Sequence, residues 1–334
     1  MGWTNNIMNK KYDVVALGEL LIDFTENGIS EQGNPVLEAN PGGAPCNVLA
    51  MLNKLGKKSA FIGKVGHDMF GNQLKRAIEE VGIDSKGLIM DNDVHTTLAF
   101  VHTMEDGDRD FSFYRKPGAD MMLSKEEVDF ELINDCKVFH FGSLSMTDSV
   151  CREATMAALA TAKEAGAFIT FDPNLREPLW DSLDLAKEQI TYGMDKCDML
   201  KISDNEIQWF TGIQDYDEAI DFLKEKYPNI KLILLSLGRD GSRAYTKSQT
   251  ATANAFVRSD TVETTGAGDT FCACVINFVV ECLDKGIQID SLEEKDLYEM
   301  LRFANAAASL ITTKKGALRV MPTRTEVEAV YTTV

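Results

Sequence analysis

Basic charge is scarce in this 334-residue chain: 34 lysines and arginines stand against 52 aspartates and glutamates, a net charge of −18. That field repels polyanions, so neither nucleic acid nor an anionic membrane surface is expected as a partner. Long hydrophobic runs are also missing. ACVINFVV, one of the longest, falls far short of the roughly 20 apolar residues of a membrane span. The opening MGWTNNIMNKK has no apolar centre, so it is not read as a signal peptide, and residue 6 is Asn where a myristoylation site needs Ser or Thr. Residues 1–10 are expected to be a flexible leader. Histidine is rare, and His67, His95, His102 and His140 have no metal-ligand spacing, so they are read as structural or surface residues. The seven cysteines are odd in number and lack framework spacing, and Cys136, Cys272 and Cys274 lie in apolar contexts. Buried, reduced thiols in a cytoplasmic protein are expected. Two familiar nucleotide loops are absent. There is no G-x-x-x-x-G-K-[ST], and GELLID stands where G-x-G-x-x-G would follow a first strand.

What is present is a β–α alternation. Strands are predicted at 13–18, 59–65, 136–142, 167–172, 198–203 and 231–237, and helices at 44–56, 69–81, 148–165, 183–195, 204–211 and 217–226. The strands are nearly all apolar, which indicates a mainly parallel sheet covered on both faces. Helices also follow 266 and fill about 295–313, and the apolar positions 271, 275, 278, 279 and 282 share one face. Two stretches break the alternation: about 33–42, and 96–120, which carries a hairpin signal at EDGD (105–108). They read as a small β-sheet lid inserted into a single domain spanning 11–334.

The chemistry concentrates in glycine pairs at helix starts. In VETTGAGDTF (262–271), Gly266 and Gly268 let amides converge on an oxygen while the helix dipole adds positive potential, and Asp269 sits on the first turn. An acid there is by itself an ordinary helix-start residue. A second cluster, PGGAPCNVLAMLNKLG (41–56), repeats the pattern with Asn47 on its first turn. Asp23 of GELLIDF follows the first strand, and Asp23 with Asn47 suits a polyol, since aspartate accepts and asparagine does both. SLGRDGS (236–242) reads equally well as a phosphate-contacting turn or a plain β-turn.

GGAPCNVLAMLNKLGKKSAFIGKVG (42–66) and VETTGAGDTFCACV (262–275) resemble the two signatures of the PfkB family of carbohydrate kinases, over about Lys11 to Pro322. Within that family, GELLIDF, FYRKPGADMML (113–123) and FDPNLREPLW (171–180) are most similar to bacterial fructokinases. The resemblance implies a ribokinase-like α/β three-layer sandwich with a small lid. It implies Asp269 as catalytic base and the amides of Gly266, Ala267 and Gly268 as anion hole. It implies Asp23, Gly43 and Asn47, with Arg115 and Arg176, on the sugar side. Lys201, Ser203, Ser236, Gly238, Gly241 and Asn305 fall on the nucleotide side, and Glu206 would position Mg2+. Ser203 stands where the family often has Asn. Many relatives have Asp in place of Glu263, in a K+ loop whose other ligands would come from Thr265, Ile311, Lys314 and Gly316. The expected reaction is ATP-dependent phosphorylation of a free sugar, foremost D-fructose to fructose 6-phosphate. The rivals are a 2-keto-3-deoxygluconate kinase and a catalytically silent sugar-sensing relative. A homodimer through the lid is a further expectation.

Overall fold

The computed structural model describes residues 9–103 and 109–331, and the side chains of all of these except 102, 103 and 109–111. EDGD and most of the expected leader lie outside the described residues. The elements in chain order are β1 (Tyr12–Leu17), β2 (Leu21–Ile29), β3 (Pro35–Gly42), α1 (Ala44–Lys54), β4 (Ser59–Gly66), α2 (Met69–Glu80), β5 (Asp84–Asp91), β6 (Leu98–Thr103) and β7 (Arg109–Tyr114). Then come α3 (Phe130–Asn134), β8 (Cys136–Gly142), α4 (Ser149–Glu164), β9 (Phe168–Asp172), α5 (Leu183–Lys196), β10 (Met199–Ser203), α6 (Asp204–Thr211), α7 (Tyr216–Lys226) and β11 (Leu232–Ser236). The chain finishes with β12 (Ser242–Tyr245), β13 (Thr250–Ala253), α8 (Ala267–Asp284), α9 (Glu294–Ile311) and α10 (Arg324–Tyr331).

Nine strands form the main sheet in the order β13-β12-β11-β10-β9-β8-β1-β4-β5. All neighbours are parallel except at the β11-β12-β13 end, which is antiparallel. The apolar strands face two cores at once. Val14 and Ala16 of β1, with Leu232 and Leu234 of β11, pack against α1, α2, α8 and α9. Their neighbours Val15, Leu17, Ile233 and Leu235 pack on the other face against α4, α5, α6 and α7. Side chains alternate along a strand, so an unbroken apolar run serves both layers. All seven cysteines are buried and free. Among the described residues, no helix is long and apolar enough to cross a membrane.

Several helix starts are fixed by capping side chains. Asp68 accepts from the amides of Phe70 and Gly71 at the start of α2. Ser203 and Glu206 form a reciprocal capping box on α6, and Gly212, at φ 73°, closes that helix.

The lid is a four-stranded sheet, β3-β2-β6-β7, with β2 parallel to β6 and the other pairs antiparallel. Phe24 of β2 stacks on Phe100 of β6 at 4.9 Å and meets Phe70 of α2 edge-on at 5.6 Å. That aromatic group holds the lid against the layer carrying α1 and α2. Four strands go beyond the sequence expectation: β2, β5, β12 and β13. Asp23 does not trail the first strand but sits inside β2, the second strand of the lid.

Candidate active site

Both glycine clusters are helix entrances, and geometry explains their composition. Gly43 caps α1 at φ 127°, where a Cβ would collide with the Glu19 carbonyl oxygen. Gly266 caps α8 at φ 76°, and a Cβ there would stand 2.7 Å from that of Ala317. These are left-handed positions crowded by neighbouring chain, so only glycine fits. Gly268 has normal backbone, and a Cβ there would make only ordinary contact with the Lys201 ammonium, at 3.4 Å. The two first turns meet. Asn47 of α1 donates from Nδ2 to Oδ2 of Asp269 on α8, at 2.8 Å.

A cavity of about 550 Å3 opens over this junction. Its floor is Glu19, Gly43, Ala44, Asn47, Leu144, Lys201 and the loop from Glu263 to Asp269. Lid residues Asp23, Thr25, Asn40, Val101 and Phe113 wall it, and Asn174, Arg176, Gly316 and Ala317 close it. Asn47 Oδ1 is buried without a hydrogen-bond partner. Few buried acceptors stay unpaired, so this carbonyl, on a residue that lines the cavity, is an unsatisfied acceptor at the helix junction.

The charge pattern is uneven. Glu19, Asp23, Glu263 and Asp269 line the cavity against Arg176 and Lys201. Lys201 is itself paired with buried Asp172, at 2.9 Å. Burial alone would strip its proton, but Asp172 and Glu206 hold it charged. Asp269 is raised above the usual carboxylate range by burial, against the pull of Asn47, Lys201 and Arg176. Burial raises Asp23 to about 7, opposed by Arg176 and assisted by the negative Glu263 and Asp269. Glu19 is also raised to about 7 by burial, although its Oε1 accepts the Ala44 amide at 2.8 Å. Glu206 goes the other way. Burial works to raise it, but Lys201 and the Ser203 and Leu175 amides keep it ionised below the usual value.

The predicted site residues divide into those this cavity gathers and those it does not. Asp23, Gly43, Asn47, Arg176, Lys201, Glu263, Thr265, Gly266, Gly268, Asp269 and Gly316 all line it. Ala267 lies between the two loop glycines as the first residue of α8. Arg115 does not line it. Its guanidinium is buried, with Nε bonded to Asp120 at 2.8 Å, Nη1 to Thr147 at 3.0 Å and Nη2 to the Leu144 carbonyl at 3.1 Å. Ser203 and Glu206 are engaged as the capping box, and the second Glu206 oxygen accepts the Leu175 amide at 2.8 Å. Asn305 ties Ser242 to the carbonyls of Ala253 and Asn254.

SLGRDGS forms a tight turn from β11 into antiparallel β12, with Gly238 at φ 53° and Gly241 at φ 101°. Its first serine, Ser236, stands in register with Ser203 on one side and Ser242 on the other. In the expected K+ loop, the Thr312 carbonyl accepts the amides of Val262 and Glu263, the Ile311 carbonyl accepts that of Lys314, and Glu263 lines the cavity.

Sequence reasoning missed Glu19, Asp172, Asn40 and Asn174. Asn174 has a positive φ of 44° and donates its amide to Asp172 at 3.2 Å. Glu19 and Asp172 each had a signal, an acid at the C-terminal end of an apolar strand, where α/β sheets place their ligands.

Residues 11–324 match the model of the pfkB family carbohydrate kinases, and the chain belongs to that family. It is 44% identical to probable fructokinase-2 of Arabidopsis thaliana over 94% of both chains, and 43% identical to fructokinase-2 of Solanum lycopersicum over 94% of both. Among solved structures, a fructokinase from Xylella fastidiosa with bound ATP superposes with a TM-score of 0.86 at 28% identity, covering 95% of this chain and 97% of that one. A fructokinase double mutant from Vibrio cholerae, bound to fructose, ADP and a potassium ion, gives 0.84 at 27% identity, covering 96% and 99%. The fold is therefore ribokinase-like. The plant relatives are nearer in sequence than these two bacterial structures, although the motifs first suggested bacterial enzymes.

Proposed function

We propose that this protein is an ATP-dependent fructokinase that transfers the γ-phosphoryl group to a hydroxyl of D-fructose. The observation that carries the reading is the meeting of Asp269 and Asn47 at the mouths of two helices, under the Gly266–Gly268 loop. Asp269 is the base that takes the proton from the attacking hydroxyl. The loop amides and Lys201 face the negative charge of the phosphoryl group, and Asn47 and Asp23, which both line the cavity, hold sugar hydroxyls. Closure of the lid, which brings Phe113 and Val101 to the cavity, excludes water, the competing acceptor.

Mg2+ supplies charge neutralisation at the phosphates when bound. Glu206 suits an outer position: it stays ionised, but its oxygens are already hydrogen-bonded. Among the described residues, no three acidic, histidine or cysteine side chains cluster as a metal cage. Such a donor set fits an ion that keeps waters and phosphate oxygens as its main ligands. A K+ requirement is a finer part of the proposal, supported by the potassium ion in the Vibrio cholerae structure. We read residues 11–334 as one kinase domain working in the cytoplasm. A homodimer through the lid is supported by the open edges of β3 and β7 and the exposed Ile29, Val36 and Leu37.

Two features weigh against an acidic sugar. Arg115 is committed elsewhere, and four carboxylates face two cations across the cavity. ADP release measured with fructose, 2-keto-3-deoxygluconate, ribose, tagatose and adenosine tests the reading. Fructose should give the highest kcat/KM, and preference for another acceptor would overturn the assignment.

A further inference from the structure

We infer that Arg115 is a lid-positioning residue that joins the roof of the sugar cavity to its floor, and not a sugar ligand. The proposal rests on the kinase reading above. Phe113 on β7 lines the cavity from the lid, and Leu144, just after β8, lines it from the main domain. Arg115 lies two residues beyond Phe113 and bonds to the Leu144 carbonyl at 3.1 Å and the Thr147 hydroxyl at 3.0 Å. The third anchor is Asp120, which receives Nε at 2.8 Å and Nη2 at 2.7 Å. The other oxygen of Asp120 accepts the hydroxyl of Thr97, the residue from which the chain enters β6. One guanidinium thus gathers the entry to the inner lid strand, the exit from the outer one and the cavity floor.

Burial makes this joint hard to loosen. Arg115, Asp120, Thr97 and Thr147 are 4%, 7%, 1% and 5% exposed. Packing is tight as well, because a Cβ on Gly118 would collide with the Thr97 hydroxyl. Breaking a buried charge-assisted bond leaves an unpaired group behind, so the joint favours one lid angle strongly. A lysine cannot replace it, since a single ammonium cannot reach three anchors in a fixed plane.

The test uses Thr147→Val, which deletes one anchor while keeping side-chain shape, together with Arg115→Lys. Each accepted sugar, including fructose analogues lacking single hydroxyls, is assayed for KM, kcat and ATP hydrolysis without sugar. Backbone hydrogen exchange of Leu98–Thr103 and Arg109–Tyr114 is followed in the absence of any substrate. We expect KM to rise about tenfold by the same factor for every sugar, with the ATP KM unchanged, a larger share of sugar-free hydrolysis, and faster lid exchange in both variants. A KM penalty that disappears for one deoxy analogue would identify a direct sugar contact and overturn the proposal. Unchanged lid exchange would overturn it too. The exchange readout needs no sugar, so it stands apart from failure of the fructokinase assignment, which would appear as wild-type inactivity on fructose.

Discussion

In the proposed mechanism, Asp269 carries the chemistry because of what surrounds it. Replacing it with Asn keeps the side-chain shape and a hydrogen-bonding partner for Asn47 but removes the proton acceptor. Turnover should fall by about 10²–10⁴ with a modest change in KM, measured by ADP release from folded protein. The pH profile follows from the same residue. Its carboxyl is raised by burial and must be ionised to act. kcat/KM should therefore climb with pH through a midpoint above the ordinary carboxylate value, with Asp23, at about 7, extending the climb toward neutrality. A flat profile from about pH 5 to 8 would contradict the role of Asp23. Glu19 makes a separate prediction about stability. Its carboxyl sits at about 7 in the fold against an ordinary 4.5, so the folded form binds the proton more tightly. Its stabilising effect is present below about 4.5 and is lost as pH rises through about 7. Glu19→Gln has no such proton. Its melting temperature, compared with wild type at each pH, should gain across that window and level off above it. Arg115 shows what a motif cannot convey at this scale. RKPGAD announces a cation and, five residues on, an acid, but only the folded loop shows that they bind each other.

At the scale of elements, α6 separates two roles that one sequence pattern merges. Ser203 and Glu206 read equally as a magnesium motif and as an S-x-x-E capping box, and the box is formed. Ser203→Ala should cost about 1 kcal/mol of stability in denaturant titration. Glu206→Gln keeps the cap's shape but removes the charge beside Lys201, so it should raise the Mg2+ concentration needed for half-maximal rate more than it lowers stability. If the two variants behave alike in both assays, Glu206 has only the capping role. Six parallel strands of the main sheet and their helices were legible to within about two residues, because runs such as VVAL and LILL are buried and have no polar interruption. β5 was not legible. DSKGLIMD lies at the sheet edge with only Gly87 and Leu88 buried, so it has neither an apolar run nor clean alternation. β12 and β13 are four residues each, too short for any period to show.

For the whole molecule, the net charge of −18 and the acidic cavity act in the same direction on an incoming substrate. A neutral sugar meets no barrier, whereas a sugar acid is repelled at long range and again at the wall. The ratio of kcat/KM for fructose over 2-keto-3-deoxygluconate should be large at low ionic strength and shrink as salt screens the field. A ratio independent of salt would place the discrimination in contacts alone. The cavity also has an uneven origin along the chain. Glu19 to Asn47 supply one part of its lining, while Glu263 to Asp269, Gly316 and Ala317 supply another. On a ribosome, the first part is made long before the second, and the lining is incomplete until residue 317 has emerged. Neither sugar nor nucleotide can stabilise the nascent chain through this site before then, since a ligand supports only a fold that already binds it. The early strands must hold on packing alone.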